Sequence, residues 1–172
     1  MQFRILEIPP GLTPGELSMT ARMVLASLLR DVYSISTLPE IVRLPSGKLF
    51  FADLNNIHFS LSHCRHAVMA AVDVRPIGCD IEDIVEDMSE ELLQFSFNRR
   101  EQQQIRNNDT PWLPEKSTNN EVFTAIWTRK EAIVKRLGDI PDNPCDWPSD
   151  TPGVTTSISP SRLYAFSIST TP

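Results

Sequence analysis

Hydrophobic and polar positions along this chain follow two periods, and the places where one gives way to the other divide it into elements. Gln2 to Ile8 alternates roughly with a period of two, as a half-buried strand does, and Pro9-Pro10-Gly11 stops it. Leu17, Ala21, Val24, Leu25, Leu28 and Leu29 then recur at helical spacing behind Thr13 as N-cap, Pro14 at the first helical position and Glu16 in the first turn. This predicts a helix ending near Tyr33. Ile41 to Leu44 and Leu49 to Phe51 read as short strands joined by the turn Pro45-Ser46-Gly47-Lys48. His58 to His63 and Ala67 to Val74 form a predicted hairpin, and Ile77 to Ile81 a further strand after Pro76. Ser89 caps a short helix to Phe95, and Asn98 begins another that carries Glu101 and Ile105. After a polar stretch, 107–120, Phe123 to Leu137 is the clearest helix, with Phe123, Ile126, Trp127, Ala132, Ile133 and Leu137 apolar and Gly138 as its stop. A proline-rich connection, 139–152, leads to a closing hairpin, Val154 to Ile158 with Leu163 to Ile168.

The order strand, helix, hairpin in residues 1–76 recurs as strand, helices, hairpin in 77–172 without a residue-level repeat. Because strands and helices do not alternate strictly, the expected class is α+β rather than a doubly wound parallel sheet.

Composition narrows the function classes. The 172 residues suffice for one domain or two small halves, and 41% hydrophobic with 22% charged residues is the balance of a globular chain. Sixteen basic against 22 acidic side chains leave a net charge of −6, which disfavours a duplex nucleic-acid binder that must neutralise phosphates. The three cysteines, Cys64, Cys79 and Cys145, lack the spacing of a zinc site or a disulfide framework. The longest apolar run, Ala67 to Val72, is too short to span a bilayer, so the expectation is a cytoplasmic protein with no membrane association.

Three segments carry candidate chemistry. Asp80 and Glu82 sit two apart on a strand, so both carboxylates face one way, an arrangement that suits a hard divalent cation but, taken alone, is more often that of an ordinary solvated strand. In Trp127-Thr128-Arg129-Lys130-Glu131-Ala132-Ile133-Val134-Lys135, Glu131 and Lys135 are one helical turn apart, on a helix whose circumference is largely apolar. Ser62 and His63 end a strand. Adjacent strand residues face opposite ways, and no G-x-S-x-G elbow is present, so phosphate contact is easier to build there than a nucleophile and base pair.

In this order and spacing the segments resemble the motif series of the 4'-phosphopantetheinyl transferase superfamily: an F-x-x-S-H strand, a V/I-G-x-D-x-E strand and a W-x-x-K-E-A/S-x-x-K helix. Arg43-Leu44-Pro45-Ser46-Gly47-Lys48-Leu49 is similar to the family's basic residue followed by G-K-P, with Leu49 in place of Pro. Phe97-Asn98-Arg99-Arg100-Glu101 is similar to its F-S-x-x-E segment, with Asn98 in place of Ser. The resemblance runs from about residue 41 to 138.

It implies an enzyme that moves the phosphopantetheine arm of coenzyme A (CoA) to a serine of an apo carrier protein and releases adenosine 3',5'-bisphosphate. Asp80, Glu82 and Glu131 would hold Mg²⁺, and Glu131 would also be the base for the carrier serine. Lys135 would neutralise the pyrophosphate or assist the departing oxygen. Ser62 and His63 would donate to pyrophosphate oxygens, and Arg43 and Lys48 would serve the nucleotide end and its 3'-phosphate. The implied architecture is the larger, surfactin-type class: a monomeric pseudo-dimer of two α+β halves, 1–76 and 77–172, with the active site in the cleft between them. Beyond Arg4 and Arg22, the basic residues that many relatives carry ahead of the first helix have no match here. A Mg²⁺-dependent nucleotide pyrophosphatase and a non-catalytic CoA-binding protein are the alternative readings of the same residues. Because carriers of this kind are acidic, a local basic patch drawn from Arg99, Arg100, Arg106, Arg129 and Arg136 is expected to offset the net charge.

Overall fold

In the computed structural model, which describes residues 1–114, 116–139 and 141–171, the chain runs through β1 (Gln2–Glu7), α1 (Pro14–Tyr33), β2 (Ile41–Arg43), β3 (Leu49–Phe51), β4 (His58–His63), β5 (Ala67–Asp73) and β6 (Ile77–Asp83). It continues through α2 (Glu90–Ser96), α3 (Arg99–Asn107), α4 (Asn119–Leu137), β7 (Val154–Ile158) and β8 (Tyr164–Thr170). Glu115 in the polar stretch, Ile140 in the proline-rich connection and Pro172 lie outside the described residues.

Two antiparallel three-stranded sheets, ordered β1-β5-β4 and β6-β8-β7, share one wiring: a leading strand, a helix, then a hairpin whose second strand lies in the centre beside the leading strand. β2 and β3 form a separate hairpin between α1 and β4. The class is therefore α+β, as the element order predicts. The layers run α1, first sheet, second sheet, α4. Along β5, Val68, Ala70 and Val72 pack under α1 with Leu25, Leu28 and Leu29, whereas Ala67, Met69 and Ala71 face Ile77, Cys79 and Ile81 of β6. That two-sided burial is why β5 reads as a continuous apolar run instead of an alternating one. Burying each of those α1 leucines contributes about 1.5–3 kcal/mol.

The opposite face of β6 carries Gly78, Asp80 and Glu82, and α4 lies across it and across β8. Only glycine fits at 78: a Cβ there would sit 2.0 Å from the Ala132 carbonyl oxygen and 2.5 Å from the Arg136 nitrogen, both backbone atoms of α4. On the β8 side, Thr128 and Ser167 share a hydrogen bond of 2.8 Å, and Arg136 Nε donates to Ser169 Oγ at 2.8 Å.

α4 begins at Asn119, inside the stretch expected to be loop, because Thr118 and Glu121 form a reciprocal capping box that adds a turn before Phe123. The proline-rich connection contains a 3₁₀ turn at Pro144–Asp146 capped by Asn143. Among the described residues no helix is long and apolar enough to cross a membrane.

Candidate functional site

β4 and β6 come together through side chains rather than a ladder. The Cys79 amide donates to Ser60 Oγ at 2.9 Å. Two residues further along β4 and one along β6, Ser62 Oγ donates to Asp80 Oδ1 at 2.8 Å. Lys135 reaches the same point from the last turn of α4, donating to Asp80 Oδ1 at 2.6 Å and to Ser62 Oγ at 3.2 Å. Asp80 is 1% exposed, and its second oxygen, Oδ2, is buried without a hydrogen-bond partner among the described residues.

A cavity of about 310 Å³ opens over this junction, and Ser62, His63, Asp80, Glu82, Glu131, Lys135 and Arg43 all line it. A neighbouring hollow of about 280 Å³ shares Arg43, Glu131 and Lys135 and extends past Gly47 and Lys48. Every candidate site residue thus faces one or both of two adjoining hollows, with walls drawn from residues before 76 and after 77. Sequence reasoning did not single out Ser18, which also lines the larger hollow, and gave Arg22 no role. Their signal was spacing, since positions 18 and 22 flank the buried α1 stripe through Ala21 and Leu25. Arg4 instead turns back to α1, pairing with Ser27 and with Asp31 at 3.0 Å.

The carboxylates are electrostatically crowded. Burial, then the Asp80 charge, pushes Glu82 up to about 8, against the opposing pull of Lys135. Glu131 is raised by burial and by Asp80, with Lys135 again working the other way. Although burial disfavours its charge, Lys135 is held above the ordinary lysine range by Asp80 and Glu131. One ammonium therefore serves three acids. Among the described residues no three His, Cys, Asp or Glu side chains are gathered closely enough to hold a metal ion: Asp80, Glu82 and Glu131 share a cavity wall, and Lys135 sits against the innermost of them.

Lys48 Nζ donates to the Arg136 carbonyl at the end of α4, and Arg43 Nη1 donates to the Gly47 carbonyl at 3.2 Å. Lys130, adjacent to Glu131 in sequence, points the opposite way. It is wholly buried, 2.7 Å from Glu101 Oε2 and 2.9 Å from the Ser96 carbonyl, so its charge fixes α4 to α3 and takes no part in the cavity. The expected basic patch is thinner than the sequence implied. Arg129 is buried over the Trp112 ring, Arg136 bonds Ser169, and Arg106 is paired with Glu90.

Residues 76–147 match the family model described as the 4'-phosphopantetheinyl transferase superfamily. The chain is similar to YieE, an uncharacterized protein of Escherichia coli (strain K12), at 30% identity over 74% of this chain and 51% of that protein. It is also similar to the 4'-phosphopantetheinyl transferase gsp of Aneurinibacillus migulanus, at 29% over 65% and 48% respectively. With the 4'-phosphopantetheinyl transferase AcpT of Escherichia coli (strain K12) it shares 34% over 62% and 52%. The chain thus spans about half the length of these curated relatives.

Proposed function

We propose that this chain, which belongs to the 4'-phosphopantetheinyl transferase superfamily, transfers phosphopantetheine from CoA to a serine hydroxyl of an apo carrier protein. The observation that carries the reading is the single cavity lined by Ser62, His63, Asp80, Glu82, Glu131 and Lys135, three separate motif segments meeting at one surface. In this reading the reaction is a displacement at phosphorus. The serine oxygen forms a bond to the phosphoryl group that bears pantetheine, the bond to the second phosphate breaks, and adenosine 3',5'-bisphosphate leaves.

The residues divide the work by charge. Glu131, whose proton affinity is raised by burial, accepts the serine proton. Lys135 sits within reach of both Asp80 and the cavity and meets the negative charge gathering on the leaving oxygen. Ser62 and His63 orient the pyrophosphate, and Arg43 and Lys48 line the adjoining hollow where the nucleotide phosphates would be received.

A hard divalent cation suits this donor set. Asp80 keeps a buried oxygen without a partner among the described residues, and Glu82 is pushed up by burial first and then by the Asp80 charge. Asp80, Glu82 and Glu131 would hold Mg²⁺, which when bound supplies charge neutralisation on the pyrophosphate. The matched wiring of the two sheets supports a pseudo-dimer with halves 1–76 and 77–172; in this reading it is of the surfactin type and the chain acts as a monomer. Incubation with CoA, Mg²⁺ and a panel of apo carrier proteins, read by intact mass, tests the reading. Release of adenosine 3',5'-bisphosphate without any carrier present would favour a pyrophosphatase instead.

A further inference from the structure

The last turn of α4 is pinned from several directions. Lys135 goes to Asp80 and Ser62, Arg136 Nε to Ser169, and the Gly138 amide back to the Val134 carbonyl at 2.8 Å. Those contacts come from β4, from the second sheet or from α4 itself. One further contact comes from the β2–β3 hairpin, where Lys48 donates to the carbonyl of Arg136. That carbonyl is among the four at a helix end with no partner inside the helix, and the negative end of the helix dipole favours a cation there. The ammonium is held despite partial burial and the neighbouring Arg136 charge, both of which disfavour it and lower its proton affinity. Its stem also crosses Gly138, which adopts φ +75° as the helix C-cap. A Cβ at 138 would stand 2.7 Å from Lys48 Cδ.

We propose that Lys48 is a positioning residue that clamps the carbonyl end of α4 from the β2–β3 hairpin and thereby fixes Glu131 and Lys135 over the cavity. The role is additional to any contact of Lys48 with CoA, and its catalytic consequence rests on the transferase reading. Its structural part does not.

The test combines ligand-free melting with steady-state kinetics. Lys48→Met keeps the aliphatic stem and removes the charge, so the ligand-free midpoint should fall by about 3–8 °C, the loss of one charge-assisted hydrogen bond in a chain of this size. Lys48→Arg, which keeps a donor, should recover at least half of that. Gly138→Ala should be costly in the wild-type background and clearly less so beside Lys48→Ala, because only the backbone strain at φ +75° is left. With carrier protein and CoA, Lys48→Met should lower kcat about tenfold, a loss separate from any rise in the KM for CoA that the missing phosphate contact brings. Glu121→Gln, at the far end of α4, serves as a destabilised control that keeps its kcat.

A wild-type midpoint for ligand-free Lys48→Met, with only the KM for CoA raised, would make Lys48 a ligand contact and overturn the clamp while leaving the transferase reading intact. A kcat loss no larger than that of Glu121→Gln would overturn the positioning role. If the wild-type chain modified no carrier, the transferase reading would fail, and the melting cycle between positions 48 and 138 would still decide the clamp.

Discussion

Lys135 Nζ lies 2.6 Å from Asp80 Oδ1, joining the last turn of α4 to the middle of β6 across a carboxylate that is almost wholly buried. The pair explains how a carboxylate remains in the protein interior. Removing the ammonium by Lys135→Met leaves Asp80 with the Ser62 hydroxyl alone, and an uncompensated buried charge is costly. Because the lysine side chain is 32% exposed, we expect a loss at the lower end for such pairs, about 2–3 kcal/mol, measured by urea unfolding of the ligand-free chain. An unchanged unfolding midpoint would contradict the pairing.

Lys130 and Glu101 test the division of labour between two adjacent motif residues. The lysine is 0% exposed and its partner 3%, so Lys130→Met alone should cost about 3–5 kcal/mol. Adding Glu101→Leu, which removes the stranded acid, should restore much of that stability. If the double variant unfolds as early as the single one, the lysine matters for something other than this ion pair.

Gly78→Ala addresses the seat of α4. The added methyl would meet helix backbone at 2.0 and 2.5 Å, and backbone cannot swing aside as a long side chain can. We expect at least about 2 kcal/mol of destabilisation, together with a large loss of transfer activity as Glu131 and Lys135 move off β6. Denaturant unfolding at neutral pH and a single-turnover assay would both have to look wild-type for this account of the α4 seat to fail.

Part of the acid sensitivity should arise at the N-terminal end of α4. Burial alone would raise Glu121, but the Arg162 guanidinium and the Thr118 amide and hydroxyl hold its carboxyl below the usual value of 4.5. A group depressed in the folded state contributes stability that is present above its unfolded value and is lost as pH falls through the folded one. The loss from this pair therefore begins below about pH 4.5. Glu121→Gln should be less stable than wild type at pH 7 and should show a shallower decline of stability below pH 4.5. Parallel stability curves for the two proteins across that window would rule the pair out as a contributor.

Much of this molecule was legible before its structure was known. The strands and helices follow from apolar spacing and caps because each element buries one face. β5 read correctly despite lacking alternation, since a short β-rich apolar run fits a strand covered on both faces. The extra first turn of α4 was missed because Thr118, Asn119, Asn120 and Glu121 form a polar string whose helicity depends on a capping box, not on hydrophobic period. At the site, the paired direction of Asp80 and Glu82 and the shared face of Glu131 and Lys135 were visible as spacings. The roles of Lys48 and Lys130 were not, because both depend on partners far away in sequence: the Arg136 carbonyl for one, Glu101 for the other. Nor could composition show that Arg129 is spent inside the protein against Trp112.

The central claim is that the carboxylates lining this cavity serve phosphopantetheine transfer to a protein serine. Its most direct test is intact-mass analysis of a panel of apo carrier proteins incubated with CoA, Mg²⁺ and either the wild-type chain or Glu131→Gln. The account predicts that wild type adds one phosphopantetheine to at least one carrier, that the addition disappears when that carrier's acceptor serine is replaced by alanine, and that Glu131→Gln, still folded and still binding CoA, is slower by about 10²-fold or more. A wild-type chain that is folded and binds CoA yet leaves every carrier at its apo mass would contradict it.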